Sequence, residues 1–276
     1  KNDIRYLSKP DRLEGTMNPI EKRSTGHAVS EPESLIVVGR NPVLELIKSG
    51  RNIEKLYVQR GEREGSIVKI FALAKERSIV ISETDKKRLD ELACGNAHQG
   101  VAAVVSALSY VSVADIVGAA REKGEKPLIV VCDGVEDPHN LGAILRSADG
   151  AGAHGVILSK RRCPVIGPTV FKASAGAAAY VPIAKVSNIA SAIDELKKMG
   201  VWIYAAKAGG ENYSRVDFNG ACAIVFGSEG DGISRLVEEK CDFTVSIPMY
   251  GSVSSLNVSA AAAILLFDAA EKQRNG

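Results

Sequence analysis

At 276 residues the chain is long enough for two domains, or one large one, with a real core. Its 45% hydrophobic and 25% charged content is that of an ordinary globular protein, and a net charge of +2 with a sequence pI near 8.2 excludes a global basic field, so any RNA has to be held by a local patch. The five cysteines are odd in number and free of CxxC spacing, which argues against a disulfide framework and a zinc site, and no apolar run is long enough to span a bilayer.

Residues 1–34 mix both charge signs with Pro and Gly and lack periodicity, so the sequence predicts a flexible N-terminal arm. Its opening, KNDIRYLSKPDRLEG, has no signal-peptide core, which points to a cytoplasmic protein with reduced thiols. From Leu35, strand-like runs LIVV (35–38), EKLYVQ (54–59), SIVIS (78–82) and GVAAVVSA (100–107) alternate with helical stretches after Asn41, from Ser66 and from Asp85. That pattern is a small α/β domain over 35–108. The segment SVADIVGAAREKGEKP (112–127) reads as a helix running into a Gly and Pro stop, a linker over 109–126.

After Pro127 stronger strands follow: LIVVCD, GVILS, VWIYAA, CAIVFG and FTVSIP. Helices in LGAILRSADGA, in NIASAIDELKKMG and from Leu256 separate and close them. Such alternation implies a mostly parallel sheet covered on both faces over 127–276, with ligands beyond the carboxyl ends of its strands. Chemistry is therefore expected in the loops after Asp133, Phe226 and Pro248.

GAGAHG (150–155) fits the dinucleotide pattern GxGxxG, but it ends a helix and begins a strand, the reverse of the order that faces a pyrophosphate. Its glycines read as a helix C-cap and a tight turn. In CDGVEDPHNLGAILRSADGAG (132–152), Asp137-Pro138 reads as a helix start, while Asn140 is either another cap or a functional amide. Arg146 is either a snorkelling side chain paired with Asp149 or Glu136, or a functional cation. Asp133, Glu136, Asp137 and His139 lack a supporting ligand set, so no metal is expected. GSEGDGIS (227–234) brings backbone close to a ligand through Gly227, Gly230 and Gly232, with Glu229 either an exposed turn carboxylate or a group aimed into the site. In IPMYGSVSSLNVSAAAAILLFDAA (247–270), the stretch from Pro248 and Met249 through Gly251 to Asn257 holds more short polar groups than a cap needs and reads as a binding loop ahead of a packing helix.

In this order, NLGAILRSA, IVFGSEGDGIS and IPMYGSVSSLNVSAAAAILLFD resemble the three signature motifs of the SpoU, or TrmH-type, branch of the SPOUT RNA methyltransferases, over roughly 127–270. VVGRNPVLELIKSG with HQGVAA resembles the small ribosomal-protein-like α/β domain that precedes the catalytic domain in this family. TVFKASAGA (169–177) draws the likeness toward RlmB-type guanosine 2′-O-methyltransferases of 23S ribosomal RNA.

The resemblance implies a catalytic domain with a deep trefoil knot, an exception to the rule against knots, together with a homodimer and S-adenosylmethionine, which leaves as S-adenosylhomocysteine. It implies that Gly227, Ile247 and Leu256 hold the cofactor, and Pro248, Met249 and Gly251 are read with them as cofactor-binding. Asn140, Arg146, Glu229, Ser255 and Asn257 match the family's polar catalytic positions. RNA contacts are expected from Arg40 and Asn41 and from Lys160, Arg161, Arg162, Lys172 and Arg235. Arg146 is the family's proposed base, yet a guanidinium stays protonated at neutral pH and accepts protons poorly. It is therefore expected to bind the adjacent phosphate and stabilise alkoxide charge, with Asn140 and Asn257 positioning the ribose. Two other readings stay open: the same chemistry on tRNA or another ribosomal RNA site, including antibiotic-resistance methylation, and a non-catalytic RNA-binding or assembly factor.

Overall fold

The computed structural model describes residues 34–106 and 108–276, so the expected arm lies outside the described residues apart from Ser34. Strands β1 (Ser34–Val38), β2 (Ile53–Gln59), β3 (Ile81–Thr84) and β4 (Val101–Ser106) form a mixed sheet in the order β1-β4-β2-β3. It is flanked by α1 (Arg40–Lys48), α2 (Ser66–Glu76) and α3 (Lys86–Ala93). Central β4 pairs antiparallel with β1 and β2, and its period of two decides what covers each face. Val101, Ala103 and Val105 join the core of α1 and α2, whereas Ala102 packs with Leu89, Leu92 and Ala93 of α3. β3 begins later than expected because Ser78 and Ile79 still bond back to the end of α2.

The second sheet is six-stranded and wholly parallel, in the order β10-β8-β9-β5-β6-β7. It comprises β5 (Leu128–Asp133), β6 (Gly155–Ser159), β7 (Ile183–Val186), β8 (Trp202–Asn212), β9 (Cys222–Gly227) and β10 (Phe243–Ser246). Helix α4 (Val113–Glu122) precedes it; α5 (Pro138–Ala151), α6 (Pro168–Ala173), α7 (Ile189–Lys198), α8 (Arg235–Glu238) and α9 (Val258–Asn275) follow in chain order. Along β5, Leu128, Val130 and Cys132 face α5 and α9, while Ile129 and Val131 face α4 and α7, so both faces are buried and the strand reads as an unbroken apolar run. Helix α4 lies on this sheet rather than free of it. Its Ser112–Asp115 capping box starts it, and Val113, Ile116, Val117 and Ala120 are buried. β7 carries only IAKV, too short to show a period, and it has no counterpart in the sequence reading.

The first sheet is seated on the chain that follows α6. Gly176, at φ +96°, faces Glu45 of α1, where an added Cβ would come within 2.7 Å. The Tyr180 hydroxyl reaches the Glu45 carboxylate at 2.8 Å, and Arg51 Nε donates to the Ala179 carbonyl at 2.8 Å. Burial and the Glu45 contact push the Tyr180 phenol up to about 12. Further inside, Gly142 of α5 meets α6 so closely that a Cβ would sit 2.4 Å from the Ala173 Cβ. Replacing it, Gly142→Ala, is expected to destabilise the protein by about 1–3 kcal/mol, read as a lower urea midpoint with an unchanged m-value.

Candidate active site

Strands β5 and β9 pair so that Asp133 and Gly227 stand side by side at the carboxyl edge. Beyond Gly227 the chain folds into a closed turn: Ser228 and Gly232 exchange backbone hydrogen bonds at 3.0 and 3.1 Å, leaving Glu229, Gly230 and Asp231 at its tip. A Cβ on Gly227 would lie 2.1 Å from the Gly232 carbonyl carbon, so a side chain there is incompatible with this turn. Asp133 Oδ2 accepts from the Ser234 N–H at 2.8 Å and fastens the far side of the turn to β5.

Two helix starts converge on that turn. Asp137 caps α5 through the His139 N–H at 2.6 Å with Pro138 in the first turn, which frees Asn140 from capping. Buried Asn140 donates through Nδ2 to Glu229 Oε1 at 2.7 Å. Asn257 caps α9, its Oδ1 accepting from Ser259 N at 2.9 Å and Ser259 Oγ at 2.6 Å. Its Nδ2 donates to Asn140 Oδ1 at 3.0 Å and to Glu229 Oε1 at 2.9 Å. Both amide hydrogens and both carbonyl lone pairs of Asn257 are thus engaged within the protein. What stays open to a ligand is the second N–H of Asn140 and the second oxygen of Glu229.

These groups stand between two cavities. The larger, about 640 Å³, is lined by Gly227, Glu229, Ile247, Met249, Ser255, Leu256 and Asn257; Pro248 and Gly251 lie outside its lining. The smaller, about 370 Å³, is lined by Gly134 to Asp137, Asn140, Arg162 and Val258. Gly227 to Asp231 and Val258 line both, so Glu229 lies on their common wall. Arg146 is exposed, lines neither cavity, and its guanidinium has no hydrogen-bond or ion-pair partner among the described residues. Neither Asp149 nor Glu136 pairs with it. Cys132, at the end of β5, is buried, and burial pushes its thiol up, which removes it as a nucleophile. Among the described residues no group of three or more His, Cys, Asp or Glu could hold a metal ion.

The expected RNA-binding residues are dispersed. Lys160, Arg161 and Arg162 follow β6 in an exposed loop; Lys172 is exposed on α6, and Arg235 opens α8 paired with Glu239 at 2.7 Å. Asn41 is exposed on α1. The Arg40 guanidinium is turned inward, donating to the Gln99 carbonyl at 2.9 Å and to Glu62 at 3.0 Å. Three residues that sequence reasoning does not single out for this role organise the site: Asp133 through Ser234, and Glu136 and Asp231 through Arg162. The Asp and Glu content of the segment was visible, but their partners lie in loops far along the chain.

Comparison with known proteins places this geometry. Residues 127–267 match the model of the SpoU rRNA Methylase family, and residues 36–111 match that of RNA 2′-O ribose methyltransferase substrate binding. The chain is 42% identical over 238 residues to YacO of Bacillus subtilis (strain 168), which carries the name of the TrmH family of tRNA/rRNA methyltransferases, covering 86% of this chain and 95% of that protein. A relative of the same family name from Staphylococcus haemolyticus is 44% identical over 87% of this chain and 97% of its own length. Among solved structures, the SpoU methyltransferase AviRb from Streptomyces viridochromogenes in complex with AdoMet superposes with a TM-score of 0.74 at 26% identity, covering 88% of this chain and 92% of AviRb.

The double engagement of Asn257 makes a stability prediction. Asn257→Ala removes the cap and is expected to cost about 1–2 kcal/mol. Asn257→Asp keeps a cap oxygen but sets a second carboxylate against Glu229. Its thermal midpoint at neutral pH should therefore fall below that of the wild-type chain, because the two carboxylates repel.

Proposed function

The chain belongs to the SpoU rRNA methylase family, and from that premise we propose that it methylates the ribose 2′-oxygen of a guanosine in 23S ribosomal RNA, with S-adenosylmethionine as donor. The observation that carries this reading is the common wall: one carboxylate, Glu229, borders both a cavity large enough for a nucleoside cofactor and a second, polar cavity. The match of residues 36–111 to a ribose methyltransferase substrate-binding model supports 2′-oxygen chemistry.

The residues present fit the cofactor. Phe226, Ile247, Leu256 and Leu265 give the larger cavity an apolar wall for an adenine, Ser254 and Ser255 give it short polar groups, and the turn at Gly227 leaves backbone against the ligand where a side chain would intrude. S-adenosylmethionine, when bound, supplies an already electrophilic methyl group, so no metal is required. Asn140 presents its free N–H to the ribose, and Asn257 acts one step removed, by fixing Glu229. Glu229 Oε2, unengaged within the protein, is placed to take the hydroxyl proton. Exposed, unpartnered Arg146 is available to bind an RNA phosphate, and a guanidinium is too basic to serve as the base. A trefoil knot and a homodimer belong to the same reading; exposed Tyr250, Val253 and Leu256 are apolar surface that a second copy would cover.

Transfer of label from S-adenosylmethionine to unmodified large-subunit ribosomal RNA, with total tRNA in parallel, tests the substrate. Label at one guanosine 2′-oxygen in ribosomal RNA is the expected outcome; label on tRNA alone keeps the chemistry and overturns the substrate. Glu229→Gln retains an oxygen for both amides and is expected to keep cofactor affinity within about threefold by calorimetry while transfer falls at least ~100-fold. Near-normal transfer by this variant would remove Glu229 as proton acceptor.

A further inference from the structure

Of the three consecutive cations after β6, one is treated differently from the others. The side chains of Lys160 and Arg161 have no hydrogen-bond or ion-pair partner among the described residues. Arg162 reaches back across the mouth of the smaller cavity, its Nε donating to Glu136 Oε1 at 3.1 Å and its Nη2 standing 3.9 Å from Asp231 Oδ2. Its guanidinium lies against Gly134, where a Cβ would come within 3.0 Å of Nη2, and its own backbone sits at φ +55°, a left-handed conformation uncommon outside glycine. Glu136 follows β5 and Asp231 follows β9, so one side chain joins the loops of three strands over the cavity that holds Asn140 and Glu229.

We propose that Glu136 and Asp231 hold Arg162 in the place of an RNA phosphate, and that the substrate takes the guanidinium over from them as it enters the cavity. This rests on RNA being the substrate, but not on which RNA. Both ion pairs are open to solvent, with Glu136 60% and Asp231 92% exposed, and pairs of that kind are held weakly. An RNA phosphodiester offers the same fork two equivalent oxygens that share one negative charge, as a carboxylate does, so the exchange is close to balanced and the remaining contacts of the RNA tip it. Without the exchange, an incoming phosphate would meet Glu136, Asp231 and Glu229 at one cavity with their cation already occupied. The carboxylates thus keep Arg162 extended over the site when RNA is absent and lower the affinity for RNA that does not reach far enough in to displace them.

Phosphate contacts are independent of sequence, so an unmodified large-subunit ribosomal RNA transcript serves as the probe whatever the natural target. Affinity of the full chain is measured by filter binding between about 50 and 200 mM salt, without cofactor. Arg162→Gln should weaken binding and flatten the log–log salt slope by a little under ~1. Glu136→Gln and Asp231→Asn should each tighten binding roughly two- to fivefold at low salt. Most of that gain should vanish when either is combined with Arg162→Gln. Unchanged affinity in the carboxylate variants overturns the proposal, making Arg162 a structural clasp; so does a gain that persists in full without Arg162, which is simple repulsion. No salt-dependent binding by the wild-type chain would remove the RNA reading itself.

Discussion

A single oxygen, Glu229 Oε1, receives hydrogen bonds from two amides that begin different helices 117 positions apart, Asn140 of α5 and Asn257 of α9. Those amides also bond to each other, so three polar side chains on three separate segments form a closed set. A carboxylate can accept from both because it has four lone-pair directions and no proton to place. Each amide would be costly to bury without its partner, and Asn140 is buried. The arrangement therefore demands that the helix starts and the turn after β9 arrive together, and the rest of the larger sheet is organised to deliver them.

That delivery depends on close approach. β5 and β9 are neighbours although nearly a hundred residues separate them, and their last paired residues, Asp133 and Gly227, set the height of both loops. Gly227 lets the turn fold back on its own strand, Gly142 lets α5 press onto α6, and Gly155 leaves room for Ile116 of α4 on β6. The seat of the smaller sheet uses the same device, Gly176 beneath Glu45. In each case a hydrogen atom stands where a side chain would, and the space is taken by the turn's own backbone at Gly227, by side chains at Gly155 and Gly176, and by both at Gly142. Packing on both faces of the parallel sheet then makes these distances rigid.

Most of the element order was legible because both sheets are built from strong local signals. LIVVCD and CAIVFG are apolar without interruption because both their faces are covered, and the helix that follows LIVVCD starts at a cap that the sequence spells out, Asp137 before Pro138. β7 escaped because IAKV is too short for a period to show, and β8 runs past its apolar start through Gly209 and Gly210, where its pairing with β10 skips from Ala205 to Glu211. The polar residues Asn140, Glu229, Ser255 and Asn257 were singled out from motifs, and the structure brings them together. Their division of labour was not legible. That Asn257 is saturated while Asn140 and Glu229 each keep a free valence follows only from distances, and no pattern along the chain encodes it.

Charge follows the same logic. A chain with net charge +2 has little long-range attraction for a polyanion, so recognition has to be local, and the charge lining the polar cavity is acidic, with Glu136, Asp137, Glu229 and Asp231 against Arg162. Acidic groups there serve different ends: Asp133 fixes a backbone N–H, Asp137 caps a helix, Glu229 is held by amides, and Glu136 and Asp231 face a guanidinium. The first three accept from N–H donors whose positions the backbone or a second amide fixes, so those donors cannot swing out to meet another anion. The last two touch only a flexible cation in solvent, where exchange with another anion is cheap. It is this difference in what each carboxylate faces, rather than the number of charges, that separates the rigid part of the site from the part free to respond to a ligand.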